Sequence, residues 1–321
     1  MKNQKKKFNI FDMNRDGKGV KKEDVITTPD LKGFFSSYKR KFGRLLSVNI
    51  LMVLGNFPFI FAVIAFAGYF NHVSTTATSH IFPLLHGIGL HENSPVLAAL
   101  NGIFGIQVEL SVFSLTSYIF LGLSSLILFT FGPVNVGTTY ILRNMVKGEP
   151  VFLWSDFWYA IKRNIKQGII MGFLDLLFMA VIAYDIVFFY YNIGPAFFNI
   201  MYYVSLALAV IYFFMRFYIY IMIVTFDLSL FKIIKNAFIF SIIGFKRNIM
   251  AAIGIGILMY INYLILLYVM PVGIMLPFVL TLSNGAFMSC YAAYFKIKEI
   301  MIDPYQSEAE PEVKPVFTDR G

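Results

Sequence analysis

Asp175 and Arg216 stand inside long apolar stretches, where an ionised side chain needs either a counter-charge or a polar cavity. Asp175 lies about seven residues, and Arg216 about ten, inside the cytoplasmic ends of their expected spans, so at about 1.5 Å per residue their depths agree within roughly 5 Å. Two roles follow from opposite charges at matched depth. They can lock a helical hairpin, or they can line a path for a polar solute; Arg216 can also snorkel to lipid phosphate. Pro133, next to Gly132, is expected to break the second span and free backbone carbonyls near Asn135 and Thr138. Broken helices with exposed backbone form midplane binding sites in transporters, and Asn262 and Asn284 would add polar lining. The competing reading is that small polar residues and Pro only tie helices together.

Two further patterns suggest metals. Asp12, Asn14, Asp16 and Gly17, with Glu23 closing a twelve-residue window, spell a calcium-binding loop. Gly19 replaces the apolar residue that such loops use for pairing, and Lys18, Lys21 and Lys22 crowd the cation, which favours coincidence. His72, His80, His86 and His91 share one loop with Glu92 and Glu109. Their spacings match no helical or short-turn ligand pair, so no metal site is assigned. Cys290 is the sole cysteine, which excludes an internal disulfide and a Cys-based metal site. There is no phosphate-binding Gly-rich loop and no nucleophile constellation in the polar segments. A non-enzymatic chain with no catalytic residues and no cofactor is expected.

The elements that must carry these residues are set by the cations. The 27 Lys and Arg leave three stretches with neither, 45–142, 167–215 and 248–295, each crowded with Leu, Ile, Phe, Val, Met and Tyr. About 20 apolar residues cross the hydrocarbon as a helix, and cationic loops stay on the cytoplasmic side. Each stretch therefore reads as a hairpin of two spans: 45–70 with 112–142, 168–191 with 197–226, and 250–269 with 273–295. The composition, 58% hydrophobic and 14% charged, oversupplies a soluble core of this length. The net charge of +9 sits beside the spans, where it meets anionic headgroups, and does not point to nucleic acid. Because 44 mostly polar residues precede the first span, no cleavable signal peptide is expected. Both termini are placed in the cytoplasm of a plasma-membrane protein, with 71–111 outside. Within 71–111, Ser94-Pro95 reads as a helix start and the apolar run to Leu110 as an interfacial helix.

A second regularity lies within the first. Lys39-Arg40-Lys41, Lys162-Arg163-Asn164 and Lys246-Arg247-Asn248 each stand just before the odd-numbered span of a hairpin, after a short amphipathic stretch. Trp154, Phe157, Trp158 and Ile161 fall at i, i+3, i+4 and i+7, a face suited to the membrane interface or to a partner, with Lys162 and Arg163 following. Lys246 and Arg247 hold the same place in the third unit. The pattern reads either as a threefold repeat or as the common basic, amphipathic lead-in to a span.

Several blocks in order also resemble a known family. They are Lys41-Phe42 running into Asn49, Gly132-Pro133-Val134-Asn135-Val136-Gly137 with Arg143 and Lys147-Gly148-Glu149, Phe152-Leu153-Trp154-Ser155-Asp156-Phe157, and Thr225-Phe226-Asp227 with Lys235-Asn236-Ala237-Phe238. Over about residues 18–298 the chain resembles the YesL-like family of bacterial membrane proteins, a domain of unknown function. The outer segment 71–111 is longer than the family pattern. The resemblance implies a setting beside sugar-uptake ABC transporters of Gram-positive bacteria, and no settled activity.

The expected architecture is all-α and polytopic: six transmembrane helices in three hairpins, each preceded by a short amphipathic cytoplasmic helix. Residues 1–30 form a basic cytoplasmic segment, 31–300 the membrane domain and 301–321 a disordered, Glu- and Pro-rich tail. The lipid bilayer, and subunits of a sugar ABC transporter, are the expected partners. An autonomous solute carrier is the alternative.

Overall fold

A computed structural model of the protein describes residues 29–78 and 95–304. The calcium-loop pattern, His80, His86, His91 and Glu92, and the tail beyond residue 304 lie outside them. The described chain is an all-α, multi-pass membrane protein. Five helical stretches are long and apolar enough to cross a bilayer: Leu115–Lys147, Leu153–Tyr191, Ala196–Thr225, Phe245–Tyr268 and Met270–Ile302. A sixth forms if Leu31–Gly55 and Pro58–Phe66, bent by 64°, count as one span.

The structure divides into two compact units, one of residues 29–49, 137–160 and 209–304, the other of 50–78, 95–136 and 161–208. In the first unit lie most of α1 (Leu31–Gly55), the C-terminal part of α5 (Ile127–Lys147), the start of α6 (Leu153–Tyr191) and the end of α7 (Ala196–Thr225). It also holds α8 (Leu230–Ile243), α9 (Phe245–Tyr268), α10 (Met270–Leu276) and α11 (Leu282–Ile297), with π-helical turns at Pro277–Thr281 and Lys298–Ile302. Its core is apolar and fully buried: Leu45, Val48, Ile141, Met145, Ile219, Met222, Ile233 and Phe287. The α9–α10 connection is a single residue, Val269, and it closes because Gly273 lies directly against the backbone of Leu266, where a Cβ has no room.

The second unit holds α2 (Pro58–Phe66), α3 (Pro95–Phe104) and α4 (Leu115–Ser124), with the neighbouring parts of α1, α5, α6 and α7. Helices α2 and α4 pack through Phe61 and Phe120, whose rings stack with centroids 6.0 Å apart. Strands β1 (His72–Ala77) and β2 (Gln107–Val112) pair antiparallel, with His72 opposite Val112. Asn71 ties this ribbon to α4, donating to Ser111 Oγ (3.1 Å) and accepting from Ser117 Oγ (2.9 Å).

Four expectations are corrected. The helix begun at Pro95 stops at Phe104, because Gly105 turns left-handed (φ 84°), and the following residues pair as β2 instead of continuing to Leu110. The interruption in the second span falls at Ser125-Leu126, while Pro133 sits inside α5. Proline there removes one ladder bond, and the flanking turns carry the helix through. The first span is instead broken at Asn56-Phe57, where Pro58 opens α2 at a position that needs no N–H donor. Finally, the short helix expected before each hairpin is distinct in the third, as α8, and in the second, where α6 is two helices that meet at a kink at Asn164 (φ −116°, ψ 21°), but not in the first. In the first, α1 runs unbroken from Leu31 to Gly55.

Candidate functional site

Three of the blocks that carried the family resemblance, those of Lys41, of Arg143 to Glu149 and of Thr225, meet in the first unit at the C-terminal end of α5. That turn ends in Gly148, whose φ of 84° lets its N–H reach the Met145 carbonyl (3.2 Å) and the Glu149 N–H reach Asn144 O (3.0 Å). This double closure satisfies carbonyls that a helix end leaves open. Lys41, buried on α1, adds its ammonium to the same Met145 carbonyl. A cation at a helix C-terminus also meets the negative end of the macrodipole.

Arg143 performs the equivalent task for another helix. Arg143 is 9% exposed, and its guanidinium donates to Val224 O (2.6 Å) and Thr225 Oγ1 (3.2 Å), the last residues of α7. On its other side Nε and Nη2 grip Asn144 Oδ1 at 3.2 and 2.9 Å, and its face lies 4.7 Å from the Tyr140 ring centre. The planar fork is thus used on both edges and one face, which an ammonium cannot reproduce. Arg143→Lys is expected to lose stability almost as much as Arg143→Gln, about 2 kcal/mol, read as a lowered thermal midpoint in detergent. Equal stability of Arg143→Lys and the parent would remove this role.

Two more polar side chains bridge backbone within this unit. Asn49, fully buried, donates to Pro277 O (3.0 Å) and accepts from Ser283 N–H (2.8 Å), so one amide spans the π-helical turn of residues 277–281. Asn248, also fully buried, accepts from Tyr218 Oη (2.7 Å) and donates to Ser241 O (3.0 Å) across the α8–α9 junction. The junction residue is Gly244, since any Cβ there would strike the Tyr218 hydroxyl and come within 2.8 Å of Phe240 O. The Asn shared by the second and third basic motifs therefore stands at a bend in both, at the kinked Asn164 and beside Gly244.

The residues selected from sequence separate into groups. Asp175 is fully buried in the second unit, whereas Arg216 lies in the first and is half-buried. Pro133 and Asn135 belong to the second unit; Thr138, Asn262 and Asn284 belong to the first. Thr138 and Asn284 are fully buried, and neither the Asn284 amide nitrogen nor its oxygen has a hydrogen-bond partner among the described residues. Trp154 and Trp158 are exposed at 66% and 42%, but Phe157, expected on their exposed face, is only 5% exposed. Phe157 and Ile161 turn into the core, so the helix start buries one edge of that face and offers the other. Lys162, Arg163 and Lys246 are exposed, and Arg247 is partly exposed. Among the described residues no three His, Cys, Asp or Glu side chains come close enough to hold a metal ion.

The strongest feature that sequence reasoning missed is in the second unit. Gly132 of α5 rests against Gly168 and Gly172 of α6; a Cβ on Gly132 would fall on the Gly168 carbonyl and 2.8 Å from Gly172 Cα. Gly168-Ile-Ile-Met-Gly172 is a small-xxx-small pair, a signal that is visible in the sequence. Asp175 follows Gly172 by three residues on the same helix.

A family model described as "Protein of unknown function, DUF624" matches residues 97–186, in agreement with the YesL-like resemblance. Neither a curated protein nor a solved structure matches the chain. The matched segment includes Gly132, Arg143, Gly148, Gly168 and Gly172, and so covers the glycine crossing and the capped end of α5.

Proposed function

We propose that the protein is a non-enzymatic accessory or assembly subunit of a bacterial carbohydrate-uptake system of the ABC type, residing in the plasma membrane with both termini cytoplasmic. The observation that supports it best is the apolar surface displayed by the short helical segments of the first unit. Phe231, Phe238 and Ile242 of α8 are 78%, 45% and 57% exposed, at i, i+7 and i+11 on one face, with Lys235 exposed between them. Trp154, Trp158 and Tyr159 at the start of α6 are exposed as well. Large exposed aromatics are what partner-facing surfaces use for anchoring. The polar side chains described above, by contrast, are consumed in closing helix ends and bends, which is a scaffold's use of them. The sugar-uptake setting comes from the family resemblance.

The test is purification from native membranes in mild detergent followed by mass spectrometry. Stoichiometric recovery of a permease or ATPase subunit is expected, and Trp154→Ala with Phe231→Ala should lose it at unchanged folded yield. Recovery of the chain alone would favour the second reading, an autonomous solute carrier. That reading draws on the fully buried Asp175 and the Asn284 amide, polar groups whose burial in an apolar bundle is costly.

A further inference from the structure

One groove in the first unit is built on a different pattern from the rest of its surface. It encloses about 340 Å³ between the N-terminus of α1, one face of α9 and one face of α11. From α9 it is lined by Arg247, Met250, Ala251, Gly254 and Ile257, a single helical stripe that starts with a cation and continues apolar. Ten residues of helix rise about 15 Å, half the roughly 30 Å hydrocarbon core. The stripe therefore reaches from the headgroup level, where the basic pair Lys246-Arg247 opens the span, through the depth of one leaflet.

The groove is held open by its walls. On one side the Tyr291 hydroxyl donates to the Asp30 carbonyl (3.0 Å), and its ring meets Phe34 edge-on at 5.2 Å, fixing the start of α1 against α11. The floor is Gly254, where even a Cβ would come within 3.1 Å of Met288 Sδ, so any larger side chain must fill the channel. At the mouth, Glu299 approaches Arg247 only to 3.9 Å and is engaged by Lys296 at 3.0 Å. That leaves the guanidinium loosely held and partly exposed at the mouth.

We infer that this groove is a phospholipid site, with the lipid phosphate on Arg247 and one acyl chain lying along Met250, Gly254 and Ile257. A flat lipid-facing surface needs neither the cation at its end nor the glycine at its floor. A loosely held cation at the mouth, with the Asp30 carboxylate there accepting from the Gly33 N–H (2.9 Å), and a match to one leaflet's depth are what single out a phosphodiester lipid over a purely apolar guest. The inference rests on the chain being membrane-spanning and is independent of any sugar-transport role.

The test is native mass spectrometry of the full-length protein in detergent, titrated with dioleoyl phosphatidylglycerol and, in parallel, with dioleoylglycerol, which lacks the phosphate. One saturable phosphatidylglycerol adduct per chain is expected, with dioleoylglycerol and the Arg247→Gln variant each about tenfold weaker. Gly254→Leu should abolish the adduct, and Arg163→Gln, which changes the matching cation of the second basic motif, should leave it intact. Arg247 is at the rim, so its variant reads headgroup binding without threatening the fold. Absence of a saturable adduct on the parent protein, equal binding of dioleoylglycerol, or unchanged binding by Arg247→Gln overturns the inference.

Discussion

Gly172→Ala and Gly132→Ala are each expected to cost about 3 kcal/mol or more, seen as loss of monodisperse protein and a sharp fall in thermal midpoint, while Gly256→Ala is neutral or slightly stabilising. The ordering follows from what a new methyl group meets. On Gly172 it would land on the Gly132 backbone, and on Gly132 it would land on the Gly168 carbonyl. Backbone cannot rotate away, so α5 and α6 must separate and lose the close contact that drives helix association where lipid offers no hydrophobic gain. Gly168 should be less sensitive than either, since a Cβ there sits 3.3 Å from a Val136 methyl that can shift. Gly256 has nothing within 4 Å, and alanine there only improves helix propensity. A Gly172→Ala protein as stable as Gly256→Ala would show that α5 and α6 do not cross at these glycines.

This contrast also shows what a single sequence can and cannot convey. The spans were legible because lipid imposes long apolar runs and confines Lys and Arg to their ends, a constraint that each segment satisfies by itself. Breaks were less legible because a proline has different consequences at different places. Pro133, seven residues into α5, is carried by the helix around it, whereas Pro58 opens a new helix after Asn56-Phe57. The β1–β2 ribbon has a local cue in Val73-Ser-Thr-Thr76, but its second strand follows an apolar run with a helical start at Pro95, and Gly105 alone marks where that helix ends. In the candidate site, Asn49, Arg143 and Thr225 stood out in sequence only through the resemblance, and Lys41 through it and the first basic motif. Their roles were hidden because each acts on backbone far along the chain: Lys41 on Met145, Arg143 on Val224, Asn49 on Pro277 and Ser283. Trp154 and Phe157 share a helical face by spacing, yet only tertiary packing decides that one is exposed and the other buried.

Asn49→Ala should be the most damaging polar substitution, at roughly 2 to 5 kcal/mol, because it removes two hydrogen bonds between a fully buried amide and backbone at once. Single hydrogen bonds between membrane helices are typically worth about 0.6 kcal/mol, since a separated helix keeps its own backbone paired. Asn49 differs in that its partners, Pro277 O and Ser283 N–H, flank a π-helical turn whose i→i+5 bonds replace the usual i→i+4 ladder. With Asn49 removed, the segment must either keep the widened turn without its bridge or rewind. Rewinding is hindered by Pro277, which has no N–H to return to the ladder and presses its ring on the preceding turn. Pro277→Ala should relieve that obstacle and let residues 277–283 close as regular α-helix. The Asn49→Ala, Pro277→Ala double variant is therefore expected to recover part of the stability lost by Asn49→Ala, measured by thermal unfolding in detergent. Simple additivity of the two losses would mean that the amide does not serve to hold the widened turn. Asn49→Asp separates the two bonds further, because a carboxylate keeps the acceptor for Ser283 and loses the donor for Pro277 while burying a charge. It should be at least as harmful as alanine, and Pro277→Ala should rescue it less, since rewinding the helix leaves the buried carboxylate where it was.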